Sequence, residues 1–166
     1  MSFLPANAPP LRRRMAAWLY EGLLTASIIF IVSLVSVFPI EQMPATLKRY
    51  AMQAILFVVL GVYFSGFWSR GQTLAMKTWH IRIVDRTGQP PSKGRALLRY
   101  VLCGVWFLPP LAVTAPFKLP SGEMAVLTLG WIAVWALLSR FQRERQFWHD
   151  VWAGTRLIDT RPARPA

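Results

Sequence analysis

The sequence predicts an all-α membrane protein with four transmembrane helices, a short cytoplasmic strand or hairpin loop, and a C-terminal interfacial amphipathic helix. Hydrophobic residues make up 54% of the 166-residue chain and charged residues 16%, whereas soluble domains contain about 25% charged residues. The charged residues are too few to cover the surface of a soluble domain, and the apolar residues are too many for one small core. A bilayer removes both difficulties, because lipid is then the solvent for most of the surface.

Four apolar segments predict the spanning helices, each of which needs about 20 mostly apolar residues. The segments are 15–38, 50–68, 96–117 and 124–139. The fourth is the shortest, so it crosses fully only in locally thinned lipid or with help from flanking aromatic residues. In the third segment Pro109-Pro110 removes two backbone donors, which predicts either a broken helix that lines an ion site or a simple bend near the outer interface.

The distribution of basic residues predicts the orientation of these helices. Lysine and arginine number 19 against seven acidic residues, a net charge of +12. Nearly all lie in the N-terminal segment, the middle loop and the C-terminal segment, and the two other loops contain only Lys48, Arg49 and Lys118. Positive residues mark the cytoplasmic side, so both termini are predicted inside a bacterial-type inner membrane. Because the charges lie in blocks between apolar runs, we expect anionic lipid head groups rather than nucleic acid as the partner.

The segments on the cytoplasmic side carry patterns of their own. Residues 79–84 alternate in side-chain character and 85–88 is a turn signal, which predicts a strand or hairpin at the membrane surface. Ser92 is expected to cap the next helix. Residues 141–152 place aromatic side chains on one helical face between charged residues, which predicts the interfacial amphipathic helix; residues 155–159 follow as a candidate short strand.

These elements divide the chain into three parts. We expect a cytoplasmic N-terminal segment at 1–14, one membrane domain at 15–158 and a basic tail at 159–166. The apolar run that follows Arg12–Arg14 is too long for a signal peptide, so a retained helix is expected there.

Two charges lie inside the predicted spans, where each costs about 2.5–3.5 kcal/mol on insertion scales. Glu21 and Arg99 are at similar depths, which predicts an ion pair between them. Arg14 lies two turns before Glu21 on the same helix face, and Asp150 is the expected acidic partner of Arg14 or Arg99. Either these four residues only tie the helices together, or Glu21 binds protons or cations while Arg99 tunes its affinity; the residues alone leave both open.

Other chemistry finds little support in the sequence. One cysteine and two distant histidines give no metal-ligand spacing, and neither a Gly-rich phosphate loop nor a nucleophile elbow is present. We therefore expect no enzyme, metal or cofactor.

Five segments in a fixed order resemble the RDD family, bacterial membrane proteins named for an arginine and two aspartates. The segments are Arg13–Glu21, Gly71–Lys77, Ile81–Asp85, Gly88–Tyr100 and His149–Thr155. Glu21 stands where the family usually has aspartate, Ala75 where a second glycine is usual, and Met76 where a lysine is common. The resemblance implies an integral membrane protein, and transport, including sodium/proton exchange, has been proposed for some members.

Two hypotheses follow. The first is transport of small cations or protons through Glu21, with Arg14, Arg99 and Asp150 as partners; four helices are few for a transport path, so a homo-oligomer is expected. The alternative is a non-transporting membrane scaffold or accessory subunit that binds anionic lipid or a partner protein.

Overall fold

Three long apolar helices dominate the computed structural model, which describes residues 8–117 and 119–161. They are α1 (Leu11–Ile40), α2 (Ala45–Trp68) and α6 (Ser121–Leu138). All three are long and apolar enough to cross a membrane. Large apolar side chains such as Phe38 and Leu23 are 81% and 69% exposed, as expected of helices that lipid surrounds. Lys118, the first half of the N-terminal segment and the end of the basic tail lie outside the described residues.

The three long helices all begin earlier than the hydropathy predicts, because each starts directly after a proline. Pro10, Pro44 and Pro120 precede α1, α2 and α6 with φ of −58°, −52° and −55°. Proline fits this place because its φ is already helical and a helix leaves its first N–H groups unbonded. Hydropathy alone overlooks the polar first turns that follow.

The predicted third span is broken. It consists of α4 (Lys93–Leu102), a 3-10 turn (Cys103–Trp106), α5 (Leu108–Thr114) and a second 3-10 turn (Ala115–Phe117), with a bend of 41° between the two halves. The cause is Pro109-Pro110, as predicted, since neither residue donates to the carbonyl four positions earlier. The described residues therefore contain three spanning helices, or four if the bent pair is counted as one.

A small antiparallel sheet covers one end of the helices. Strand β1 (Ile81–Asp85) pairs with β2 (Thr155–Asp159), and Ile81 lies opposite Asp159. The short helix α3 (Leu74–Thr78) leads into β1, and Ser92 caps α4 by accepting the N–H of Arg95. The strand, the turn and the cap predicted for the middle loop are thus present, and the sheet brings this loop against the C-terminal segment.

The predicted amphipathic helix at 141–152 is wrong in its extent, because only α7 (Trp148–Trp152) is helical. Two features prevent the helix from beginning before residue 148. Arg145 has a φ of 54°, and the side chain of the buried Gln146 bonds both the N–H and the C=O of Leu157, at 2.8 and 3.0 Å. The side-chain amide of Gln146 therefore bonds β2 in the way that the backbone of a neighbouring strand would.

The buried core lies at the sheet end, where the three basic segments meet. Its large members are aromatic and aliphatic side chains from α2, both strands, the 3-10 turn, α6 and the loop before α7: Trp68, Ile81, Ile83, Trp106, Ile132, Trp135, Phe147 and Leu157. The same end holds most of the buried charge.

Candidate functional site

A buried ion pair joins the broken helix to the C-terminal segment. Nε of Arg99 on α4 donates to Oδ1 of Asp150 on α7 at 2.6 Å, and the two side chains are 5% and 0% exposed. The guanidinium also lies 4.1 Å from the ring centre of Trp68. Two opposite charges held so close in a desolvated site stabilise each other strongly, and removing one would strand the other. Asp150 is therefore the partner of Arg99, one of the two pairings that the sequence predicts for it.

Arg14 lies beside this pair without joining it. Its guanidinium is 4.4 Å from the centre of the Phe147 ring and its Nη2 is 3.4 Å from the hydroxyl of Ser139. The residue is only 4% exposed, yet Nε and Nη1 have no hydrogen-bond partner among the described residues. Buried guanidinium nitrogens are normally paired, so Arg14 retains binding capacity.

Glu21 takes different partners from the ones that the sequence predicts. Its carboxylate accepts hydrogen bonds from the hydroxyl of Tyr63 on α2, at 2.8 Å, and from the hydroxyl of Thr73, which caps α3. The expected ion pair with Arg99 does not form. Arg99 is drawn to Asp150 instead, and the loop after α2 brings a threonine to the carboxylate, which hydropathy and charge spacing do not predict.

His149 is buried between two rings next to Asp150. It stacks on Phe147 at 5.5 Å and meets the edge of Trp106 at 5.8 Å, and its Nε2 is 3.4 Å from Oδ1 of Asp150. Burial lowers the pKa of His149 to about 4, although the Asp150 carboxylate acts in the opposite direction. The imidazole is therefore neutral at neutral pH and adds no charge to the cluster.

A second ion pair fastens α1 to the end of the sheet. Nη1 of Arg13 donates to Oδ2 of Asp159 at 2.6 Å, while its Nη2 donates to the carbonyls of Trp79 and His80. The hydrogen bond from Arg13, with help from Arg161, holds the pKa of Asp159 far below its usual range. Arg13 thus explains why the N-terminus of α1 lies beside both strands.

An apolar cavity of about 590 Å³ lies between α1, α2 and the broken α4–α5 helix. Glu21, Arg14 and Arg99 are the charged residues of its wall, and the remainder is mainly aromatic and aliphatic. Such a volume is within the usual range of ligand pockets, about 300–1,000 Å³. Within residues 8–117 and 119–161 no three His, Cys, Asp or Glu side chains are grouped as a metal site requires.

Comparison with known families decides the class of this protein. The model of the RDD family matches residues 8–154, nearly the whole of the 166-residue chain. The chain belongs to the RDD family. No curated protein and no solved structure matches this RDD protein significantly. Family membership and the long apolar helices together indicate a multi-pass membrane protein.

The segments that carry the family resemblance meet at one end of this RDD protein. Arg13, Arg14 and Glu21 come from the first of these segments and Asp150 from the last. Arg14 and Glu21 line the cavity, Arg13 bonds the end of the sheet, and Asp150 pairs with Arg99. Gly71, from another of these segments, has a φ of 92° and accepts the N–H of Ile83 through its carbonyl. A left-handed φ favours glycine, so this glycine sets the path of the loop that delivers Thr73.

Two site residues of this RDD protein were missed by sequence reasoning. Tyr63 lies inside an apolar span, and Thr73 lies in a loop. The available signal for Tyr63 was its position inside the span, where a hydroxyl needs a partner. Nothing in the charge pattern singles out Thr73.

Proposed function

We propose that this RDD protein exchanges a small monovalent cation for protons across a bacterial-type inner membrane, with the Glu21 carboxylate as the shared binding group. The observation that carries the proposal is that Glu21 forms no ion pair with any described residue, although it lies within an apolar span. An intramembrane carboxylate without a permanent cationic partner is free to take up a proton or a metal cation in turn.

The surroundings of Glu21 support this role. Both carboxylate oxygens accept from hydroxyl groups, of Tyr63 and Thr73, and hydroxyl and carboxylate oxygens are the ligands that hard cations prefer. Glu21 also lines the cavity beside α1, which supplies a route to the carboxylate. Because Arg99 is bound to Asp150, Glu21→Gln is expected to remove the charge without stranding a buried arginine.

The orientation is part of the same proposal. The sheet and the Arg13–Asp159 ion pair bring the N-terminus, the middle loop and the C-terminal segment to one end of the helices. These are the three basic segments, so the positive-inside rule places that end in the cytoplasm. This orientation requires that the bent α4–α5 pair crosses as one span, giving four.

The test is a flux measurement on purified protein in liposomes that contain a pH-sensitive dye. After a sodium or potassium pulse, the wild type is expected to move protons and Glu21→Gln is expected to abolish that movement. Glu123→Gln makes the same chemical change at an exposed acid in the first turn of α6 and is expected to keep full flux. Folded wild-type protein that moves no protons would refute the exchange reaction.

A scaffold or accessory subunit is the second candidate function. The Arg99–Asp150 and Arg13–Asp159 pairs favour it, because each fastens two elements that lie far apart in the sequence. Under this function the apolar helix faces would bind a partner membrane protein or a second copy, and neither the wild type nor Glu21→Gln would move protons in liposomes.

A further inference from the structure

Arg14 is a buried cation that forms no ion pair with any described residue. Two of its three guanidinium nitrogens make no hydrogen bond there, and the side chain is 4% exposed. The nearby carboxylate, Asp150, is bonded to Arg99 and not to Arg14, so two guanidinium groups lie near one carboxylate. Glu21 is seven residues further along α1, about 10 Å at 1.5 Å per residue, and its oxygens are bonded to hydroxyl groups. This end of the cavity therefore carries an excess positive charge.

The cavity extends from Arg14 along one face of α1. Its wall on that helix runs from Arg14 through Trp18 and Gly22 to Ile29, a rise of about 22 Å. The opposite walls are mainly apolar apart from Arg99, and several of their side chains, including Phe57, Val101 and Leu108, are more than half exposed. A long apolar space that meets the lipid-facing surface, with a cation at one end, has the shape and the charge of a phospholipid site.

We propose that this cavity binds an anionic phospholipid, with the lipid phosphate on Arg14 and one acyl chain along α1. A guanidinium group binds phosphate oxygens with two parallel hydrogen bonds, which would pair the free Nε and Nη1 of Arg14. The acyl chain would fill the apolar length of the cavity beside Trp18 and Gly22. The inference goes beyond cation exchange, because its contacts are made by Arg14 and the apolar wall rather than by the Glu21 carboxylate.

Native mass spectrometry in detergent tests the head-group contact. The purified full-length protein is titrated with phosphatidylglycerol and, separately, with phosphatidylcholine of the same chains. Wild-type protein is expected to prefer phosphatidylglycerol, and Arg14→Gln is expected to weaken that binding about tenfold. Arg12→Gln, which removes an exposed arginine two positions away, is expected to bind as the wild type does.

A second pair of variants tests the position of the acyl chain. A Cβ at Gly22 meets no heavy atom within 4 Å, and the same is true at Gly130, but only Gly22 lines the cavity. Gly22→Leu fills the cavity with little strain, so it is expected to weaken phosphatidylglycerol binding at least about tenfold, whereas Gly130→Leu on α6 is expected to leave it unchanged. This pair tests the site even if Arg14→Gln does not fold.

Three results would overturn the lipid site: equal binding of the two lipids, equal loss in Arg12→Gln and Arg14→Gln, or unchanged binding in Gly22→Leu. The measurement needs no flux, so the lipid site and the exchange reaction fail independently. Loss of flux in Glu21→Gln with normal lipid binding would support both.

Discussion

The indole Nε1 of Trp131 on α6 donates to the carbonyl oxygen of Val105 at 2.8 Å. Val105 lies four positions before Pro109, so its carbonyl is the acceptor that the missing N–H of Pro109 would have bonded in a helix. In lipid an unpaired backbone carbonyl is costly because no water replaces the lost donor. Trp131 thus makes the break in the third span tolerable and ties α6 to it.

This hydrogen bond predicts that Pro109→Ala partly restores the stability lost in Trp131→Phe. Trp131→Phe keeps the ring but removes the donor, so we expect it to lower the free energy of unfolding by about 1–3 kcal/mol. Adding Pro109→Ala supplies a backbone N–H for the Val105 carbonyl and should shrink the cost of losing Trp131. A double-mutant cycle by chemical denaturation in detergent micelles measures the coupling.

Trp135 is the matched control for that cycle. It lies one turn from Trp131 on the same helix, but its Nε1 has no hydrogen-bond partner in the described part of the chain. Trp135→Phe should therefore cost less than Trp131→Phe and show no coupling to Pro109→Ala. Equal costs for the two substitutions would contradict the proposed role of the Trp131 donor.

The buried pair of Arg99 and Asp150 predicts a large loss of stability on neutralisation. Asp150→Asn leaves the Arg99 guanidinium buried without a countercharge, so we expect a loss of about 3–5 kcal/mol in denaturation measurements. Asp85→Asn makes the same change at the surface pair with Arg95, 3.2 Å apart, where solvent screens the charges and a much smaller loss is expected. Similar losses at both positions would argue against a buried pair.

His149 predicts a pH dependence. Its folded pKa of about 4 lies below the ordinary value of about 6.5, so between these values the unfolded chain binds a proton that the folded protein excludes. Stability therefore falls as the pH falls through this range. At about 1.4 kcal/mol per pH unit the loss approaches about 3 kcal/mol at pH 4.

The difference between variants isolates this contribution from that of the carboxylates. His149→Gln should flatten the pH dependence of the unfolding free energy between pH 6.5 and 4, whereas His80→Asn, which removes the exposed histidine, should retain it. A wild-type curve that matches His149→Gln would show that the imidazole is not desolvated. Asp150, Arg99 and Arg14 are the charges that influence His149, so all three remain in both proteins.

The hydroxyl of Tyr63 provides a finer test of the proposed exchange site. Tyr63→Phe removes one oxygen beside Glu21 and little else, so the cation concentration for half-maximal flux should rise about fivefold, equivalent to about 1 kcal/mol. Tyr50→Phe changes an exposed tyrosine of the same helix and should have no effect. Identical flux curves for the two variants would remove Tyr63 from the site.

Much of the membrane architecture follows from the sequence, because hydropathy and charge act locally. Long apolar runs give α1, α2 and α6, and Pro109-Pro110 breaks the third span whatever its neighbours are. The family resemblance is also readable from the sequence, because it rests on short segments in a fixed order along the chain. The C-terminal amphipathic helix was predicted over too long a range, because Arg145 adopts a left-handed φ and the side chain of Gln146 bonds β2.

The pairing of charges, by contrast, was decided by tertiary structure. The sequence predicts similar depths for Glu21 and Arg99 from their positions along the two helices, but it does not give the rotation of each helix or the partner of each charge. Asp150 pairs with Arg99 only because the sheet brings α7 against α4. Thr73 reaches Glu21 only because Gly71 turns the loop. The sequence alone thus determines which groups are charged and how deep they lie, while long-range packing decides which charge each one meets, because that choice depends on residues distant in the chain.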